Sequence, residues 1–478
     1  MKIPYRECIL QNGPQMKAKT KTPSTARKIA YEILRRVEAA GAYASDLLHA
    51  ELGANVKAED AALATEIVLG VIRWRRLLDF LLERHLKKSV ERLDLPVALA
   101  LRMGIYQLRF LDRVPARAVV NESVETVRYA RKTSAATLVN AVLRRVAEEA
   151  REPAEALMPA SGNPADRLAL LYSHPTWMVE RWLARLGEPE TIALLKANNF
   201  APRLNCAIHD VAQREEILLA LKHAGLRIEP GKLLQSAFAV SGGSPARTEA
   251  FRAGRISIQD EASQVIPLLL EVQSGDRVLD LCAAPGGKTP PLVRGAGENG
   301  MVVAGERHAH RIRAMREQFR RLHLPEVRLV ELDAEKPLPF SARFDRILVD
   351  APCSGTGTLS RHPEIRWRLK PDQLAEFHAL QCSLLANALE MLAPGGRLVY
   401  STCSMEPEEN ENVVDEVLKT RGYVSRVIRA RAADSLRDRI AEGVDAHSLF
   451  GSAGYFRTSP HVHHTDGFFA AIIERAKT

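Results

Sequence analysis

Residues 277–289 read Arg277-Val278-Leu279-Asp280-Leu281-Cys282-Ala283-Ala284-Pro285-Gly286-Gly287-Lys288-Thr289, a short apolar run closed by a turn of small residues. A run of this length, ended by Pro-Gly-Gly, predicts a buried strand that hands over to a helix. Working outward, apolar runs at 301–305, 327–332, 346–349 and 397–401 predict further strands, with helices over 311–322, 372–392 and 408–419 between or after them. This alternation predicts an α/β Rossmann-like domain, a parallel sheet with helices on both faces. Ligands of such sheets gather at the carboxyl ends of the strands.

Two of those strand ends carry thiols. Cys353 stands in Asp350-Ala351-Pro352-Cys353-Ser354 and Cys403 in Tyr400-Ser401-Thr402-Cys403-Ser404. A lone free cysteine is most often a small core hydrophobe. Two at matching positions, if their strands are neighbours, face one pocket and point to thiol chemistry. Cys206 and Cys382 read as core, Cys8 as a thiol in a polar extension, and Cys282 as a contact within the turn.

The turn 282–288 (Cys282, Ala283, Ala284, Pro285, Gly286, Gly287, Lys288) lets a ligand approach the backbone closely. Its spacing matches neither G-x-G-x-x-G nor G-x-x-x-x-G-K-[ST], which weakens dinucleotide and nucleoside-triphosphate readings. Glu306 ends the second strand, where a carboxylate can accept both ribose hydroxyls. Asp333 follows the third, placed to meet an adenine amino group, and Asp350 follows the fourth. A single acid at a strand end is usually a turn or helix cap. Acids at successive ends beside a small-residue turn suit a cationic nucleoside such as S-adenosylmethionine.

The 478 residues exceed one ordinary core, so several domains are expected. Residues 1–22 lack periodicity and read as a disordered extension, with Met16 an alternative start. Residues 23–150 carry helical stripes such as Ala30, Ile33, Leu34 and Val37. This predicts an all-α bundle. Residues 151–253 read as a linker and a small α+β domain, and 254–478 as the Rossmann-like domain. Of the formal charge of +9, the whole surplus falls in residues 1–150, which hold 26 basic and 17 acidic side chains. That third is the expected polyanion-binding module. No apolar run long enough for a membrane span occurs, and the six cysteines form no C-x-x-C pair. A cytoplasmic protein with no membrane contact and no metal is expected.

Several stretches together resemble the Sun-type bacterial 16S rRNA cytosine-5 methyltransferases of the NOL1/NOP2/Sun group. They are Gly254 with Ile258-Gln259-Asp260-Glu261-Ala262-Ser263-Gln264, the 282–288 turn, and Asp350-Ala351-Pro352-Cys353-Ser354 continuing to Arg361-His362-Pro363-Glu364-Ile365-Arg366-Trp367. Thr402-Cys403-Ser404, Pro407-Glu408-Glu409-Asn410 and His464-Thr465-Asp466-Gly467-Phe468-Phe469 complete the set. The N-terminal part resembles the RNA-binding domain of NusB proteins through Leu101-Arg102-Met103-Gly104-Ile105-Tyr106-Gln107-Leu108, Val114-Pro115, Asn121-Glu122-Ser123-Val124 and Val139-Asn140-Ala141-Val142-Leu143-Arg144. Leu204-Asn205 departs from the family, which often has Arg before that Asn.

The resemblance implies methyl transfer from S-adenosylmethionine to carbon 5 of a cytosine in 16S rRNA. It assigns Cys403 as the nucleophile that adds at carbon 6 and Cys353 as the group that assists release. The Thr-Cys nucleophile is what separates this RNA chemistry from DNA cytosine-5 methyltransferases, which attack with the Pro-Cys thiol. Asp350 can hold the pyrimidine N3 and exocyclic amine, and Lys288 can favour the Cys403 anion. Trp367 and Phe468 can each stack on a base or pack in a core. The same chemistry on tRNA or another rRNA position, and a non-catalytic RNA-binding or assembly factor, are the alternatives. A monomer is expected.

Overall fold

A computed structural model describes residues 22–53, 55–87, 89–149, 152–158, 162–324, 327–420, 425–427 and 431–476. The expected extension, with Cys8 and Met16, lies outside them. The chain divides into two units, one of residues 1–42, 46–71 and 78–152 and the other of 43–45, 72–77 and 153–478.

The first unit is helical. The helix Thr25–Ala40 buries Ala26, Ala30, Ile33, Leu34 and Val37 along one stripe and ends at Gly41, whose φ of 64° is the left-handed cap glycine adopts without strain. Leu95–Phe110 is the central helix, with every residue from Val97 to Gln107 buried. Its Gly104 is dictated by packing, since a Cβ there would sit 2.6 Å from Leu143 and 2.9 Å from Ser123 Oγ, on the helices Ala136–Glu149 and Ala116–Tyr129. Buried Arg102 is matched by Asp79, its Nε donating to Oδ1 at 2.6 Å.

The second unit holds two sheets. The smaller is antiparallel, in the order β2 (Arg227–Pro230), β3 (Ala237–Ser241), β1 (Leu204–Ile208), β4 (Ile256–Ile258). The helix Arg214–His223 packs its Ile217 and Leu221 with Cys206, Phe238, Val240 and Ile256. Cys206 is therefore core, as expected, and burial pushes its thiol up to about 12. The strand Ile256–Ile258 completes this sheet, although it lies beyond residue 253.

The larger sheet contains β5 (Arg277–Leu281), β6 (Met301–Glu306), β7 (Arg328–Glu331), β8 (Phe344–Asp350), β9 (Leu392–Thr402), β10 (Ser425–Val427), β11 (Phe456–Thr458) and β12 (Phe468–Arg475), in the order β10-β12-β9-β8-β5-β6-β7, with β11 paired to β12. The five strands β5 to β9 are parallel. These are the five strands expected from sequence; two further strands make the sheet mixed, since β12 runs antiparallel to β9 and β10 antiparallel to β12. Two apolar clusters flank the sheet, one with Val278, Leu348, Val399 and Ile472, the other with Leu279, Ile347, Leu398 and Ile473. Alternate residues of each strand feed opposite faces. The chain leaves β5 toward β6 and β7, then returns to the other side of β5 for β8 and β9. The order therefore breaks between β5 and β8, where a doubly wound sheet opens its ligand crevice.

Candidate active site

Because β8 and β9 are parallel neighbours, with Asp350 opposite Ser401, the loops that follow them emerge side by side. Cys353 Sγ lies 3.3 Å from Cys403 Sγ. Glu409, fully buried on the turn Pro407–Glu409, holds the two loops at this spacing. Its Oε2 accepts from Ser354 N at 2.7 Å, while its Oε1 accepts from the hydroxyls of Ser354 and, at 2.5 Å, of Ser404. Gln381, on the helix Gln373–Glu390, donates to both Pro352 O (2.8 Å) and Glu409 Oε2 (3.1 Å). Asn410 Nδ2 donates to Ser404 O at 2.9 Å and Gly357 N to Cys403 O at 2.9 Å. A Cβ on Gly357 would run into the Gly467 carbonyl and lie 2.8 Å from Cys403 O.

The thiols are not equivalent. Its hydrogen bond with Cys403 and its burial push Cys353 well above an ordinary thiol, so it keeps its proton. The two sulfurs share this one contact, in which either can be the donor. On the other side stands Lys288, whose Nζ donates to Asp350 Oδ2 at 2.6 Å and lies 5.1 Å from the centre of the Phe468 ring. Burial works against the Lys288 charge, but Asp350 outweighs it and Cys403 adds to it, so the ammonium persists. Asp350 Oδ1 accepts from Ser401 Oγ at 2.9 Å.

The 282–288 turn faces Asp350 across the gap between β5 and β8. Cys282 takes a left-handed φ of 58° and Gly286 one of 94°. A side chain on Gly286 would meet the Phe319 ring at 2.9 Å. Burial, then the charges of Asp350, Glu306 and Asp280, drives the Cys282 thiol up to about 12, which suits a contact and not a nucleophile. Asp280 is wholly buried under the turn; Thr289 Oγ1 donates to its Oδ2 at 2.7 Å, and its Oδ1 has no partner. Carboxylates thus converge here from three strand ends, a donor set that fits a cationic sulfonium nucleoside and opposes a polyphosphate. Glu306 is buried and accepts from His308 N at 2.9 Å. Asp333 sits at the rim, accepting from Glu335 N at 3.2 Å, with Lys336 at 3.5 Å and Arg307 at 3.9 Å. Each of these two acids also closes its own turn.

One cluster escaped the sequence reading. Arg361 Nη2 donates to Asp260 Oδ2 at 2.7 Å, Arg361 Nε to Asp466 Oδ2 at 2.9 Å, and Asp466 N to Asp260 Oδ1 at 3.1 Å. It ties three of the quoted stretches together beside the thiols. Glu409 was missed as well. Its signal was an acid within turn length of the Thr402-Cys403 pair. Trp367 donates its Nε1 to Ile72 O at 2.7 Å and Phe468 is core, so each has a structural role. A cavity of about 660 Å³ lies elsewhere, and of the 282–288 turn only Gly287 lines it.

A doubly wound sheet with this crevice, next to a paired thiol site and in a chain with a separate helical unit, defines an RNA methyltransferase that uses S-adenosylmethionine. The model described as 16S rRNA methyltransferase RsmB/F matches residues 267–474, the NusB family 24–148, and the ferredoxin-like domain of RsmF/B-like methyltransferases 174–247. The chain is 32% identical over 456 residues to the probable ribosomal RNA small subunit methyltransferase B of Bacillus subtilis, covering 95% of this chain and 99% of that one. It is 35% identical over 384 residues to ribosomal RNA small subunit methyltransferase B of Pseudomonas syringae, covering 79% and 82%. The crystal structure of PH0851 superposes with a TM-score of 0.77 at 25% identity, covering 95% and 99%. The chain belongs to the RsmB/F family, with an N-terminal NusB domain. No helix among the described residues is long and apolar enough to cross a membrane.

Proposed function

We propose that this protein methylates carbon 5 of a cytosine in 16S rRNA. The observation that carries the reading is the pair Cys403 and Cys353, 3.3 Å apart at adjacent strand ends with Asp350 and Lys288 alongside. S-adenosylmethionine, held by the 282–288 turn, Glu306, Asp333 and Asp350, supplies the methyl group when bound.

Carbon 5 of cytosine is a weak nucleophile, and addition of the Cys403 thiolate at carbon 6 turns the ring into an enamine that is a better one. Asp350 accepts from the exocyclic amine and, with Lys288, balances charge that develops on the ring. The base must be unpaired or turned out of its stack for Cys403 to reach carbon 6. After transfer, carbon 5 loses its proton and the electrons expel Cys403 as thiolate. Cys353 assists this release, and the coupling of the thiols times it. The leading cause of its high pKa is Cys403 itself. Once Cys403 is bonded to carbon 6 that cause is gone, and the Cys353 thiol gives up its own proton more readily, so that its thiolate can take the carbon 5 proton.

Bisulfite sequencing of 16S rRNA and tRNA from a deletion strain tests the substrate. Loss of one 16S 5-methylcytosine, restored by the wild-type gene and not by Cys403→Ala, is expected. Loss confined to tRNA or another rRNA would overturn the 16S assignment, and unchanged methylation would favour a non-catalytic role.

A further inference from the structure

Behind the thiol loops, the helix Gln373–Glu390 presents His378 and Cys382 one turn apart toward Glu416 on the helix Glu411–Thr420. We propose that these three side chains form a binding site for a zinc-like divalent ion that clamps the two helices together.

Three observations carry this. His378 Nε2, Cys382 Sγ and a Glu416 carboxylate oxygen all lie within 4.8 Å of one another. The Cys382 Sγ to His378 Nε2 distance is 3.6 Å. Tetrahedral zinc with bonds of about 2.3 Å to sulfur and 2.0–2.1 Å to nitrogen needs a separation of about 3.5 Å. Second, His378 Nδ1 donates to Glu408 O at 2.7 Å, which fixes the ring and aims Nε2 at the other two donors. Third, His378 Nε2 lies 2.9 Å from Glu416 Oε2, so the donor from the second helix already stands beside the first without rearrangement. A nitrogen, sulfur and oxygen set with one face open to water matches zinc better than the all-oxygen preference of calcium or magnesium.

The sequence reading expected no metal because no C-x-x-C occurs; these donors come from two helices. The clamp has a stated reach. Gln381 lies between His378 and Cys382 and holds Pro352 O and Glu409, while the Glu408 carbonyl holds His378. An ion here would stiffen the support of both cysteine loops without touching substrate.

The test uses the full chain carrying Cys353→Ser and Cys403→Ser, which removes the competing thiol pair, titrated with cobalt(II) as a spectroscopic stand-in. One equivalent should bind with a sulfur-to-cobalt charge-transfer band and be displaced by zinc(II). Adding Cys382→Ser should abolish the band, and Glu416→Gln should weaken binding at least tenfold, with circular dichroism unchanged in both. Calorimetry in buffers of different ionisation enthalpy should report about two protons released per ion at mildly acid pH. In the otherwise native protein zinc should raise Tm, and His378→Ala should remove the rise. Absence of a saturable band, or a band that survives Cys382→Ser, would overturn the site and leave His378 and Glu416 as a plain ion pair.

Discussion

Glu409 and the two thiols show how much of the chemistry rests on single side chains. The carboxylate of Glu409 accepts from both cysteine loops, so the thiol spacing is set by a residue that touches neither sulfur. Cys403→Ala should bind RNA and S-adenosylmethionine yet form no adduct and no product. Cys353→Ala should still attack, then stall before release, leaving protein joined to RNA as a slow band in denaturing gels. If the band instead accumulates in Cys403→Ala, the two roles are exchanged. Asp280 offers a second prediction. Burial, against the Thr289 hydrogen bond and aided by Asp350, raises its carboxyl from 3.8 to about 7. A raised acid stabilises the fold in its protonated form, below about pH 4, and that contribution is lost as pH climbs to about 7. Asp280→Asn, neutral throughout and still able to accept from Thr289, should gain in Tm relative to wild type across this interval and hold a constant gain above it. Melting curves that differ by the same amount at every pH would show that Asp280 does not titrate there.

At the scale of elements, Gly357 makes the closest approach of the site, wedged between the Gly467 carbonyl and the Cys403 loop. Gly357→Ala should destabilise by about 1–3 kcal/mol, the usual range for overpacking. Its larger effect should be on adduct formation, because the displaced backbone is the one that carries Cys403. Denaturant titration together with adduct yield checks this, and a loss in stability with normal adduct formation would separate the two. The parallel strands, the 282–288 turn and the cysteine positions were legible in sequence because apolar runs and small-residue turns are local signals. Strand direction was not. The run Phe468–Arg475 reads the same whether it pairs parallel or antiparallel, and only its connection through β11 decides. The Glu409 clamp and the Asp260, Arg361 and Asp466 cluster were hidden for a related reason. Polar residues carry no period, and their partners lie up to 206 positions away in the chain. Glu306 and Asp333 show the converse, being found at the expected strand ends while also bonding to their own turns.

For the whole molecule, charge is divided unevenly, with the entire surplus in the first 150 residues. Of these nine charges residues 1–22 carry four and the NusB domain five, so that domain is expected to bind phosphates, and Arg113, Arg117, Arg144 and Arg145 are exposed on it. Replacing Arg144 and Arg145 with Gln should weaken RNA binding evenly across sequences. The slope of log K against log salt should fall by about 0.7–0.9 for each phosphate that is no longer neutralised. S-adenosylmethionine affinity should not change. An unaltered slope would place the RNA footprint elsewhere.

The break in strand order between β5 and β8 divides the reaction between two flanks. The groups proposed for the methyl donor, the turn, Glu306 and Asp333, hang from β5, β6 and β7, while Cys353 and Cys403 hang from β8 and β9. Damage on the first flank is a deficit of occupancy, so raising the concentration of S-adenosylmethionine restores turnover to Glu306→Ala or Asp333→Ala. Damage on the second is a deficit of reactivity that no amount of methyl donor repairs. Asp350, proposed for both tasks and ending the first strand past the break, belongs to neither class, and its loss should be rescued in part.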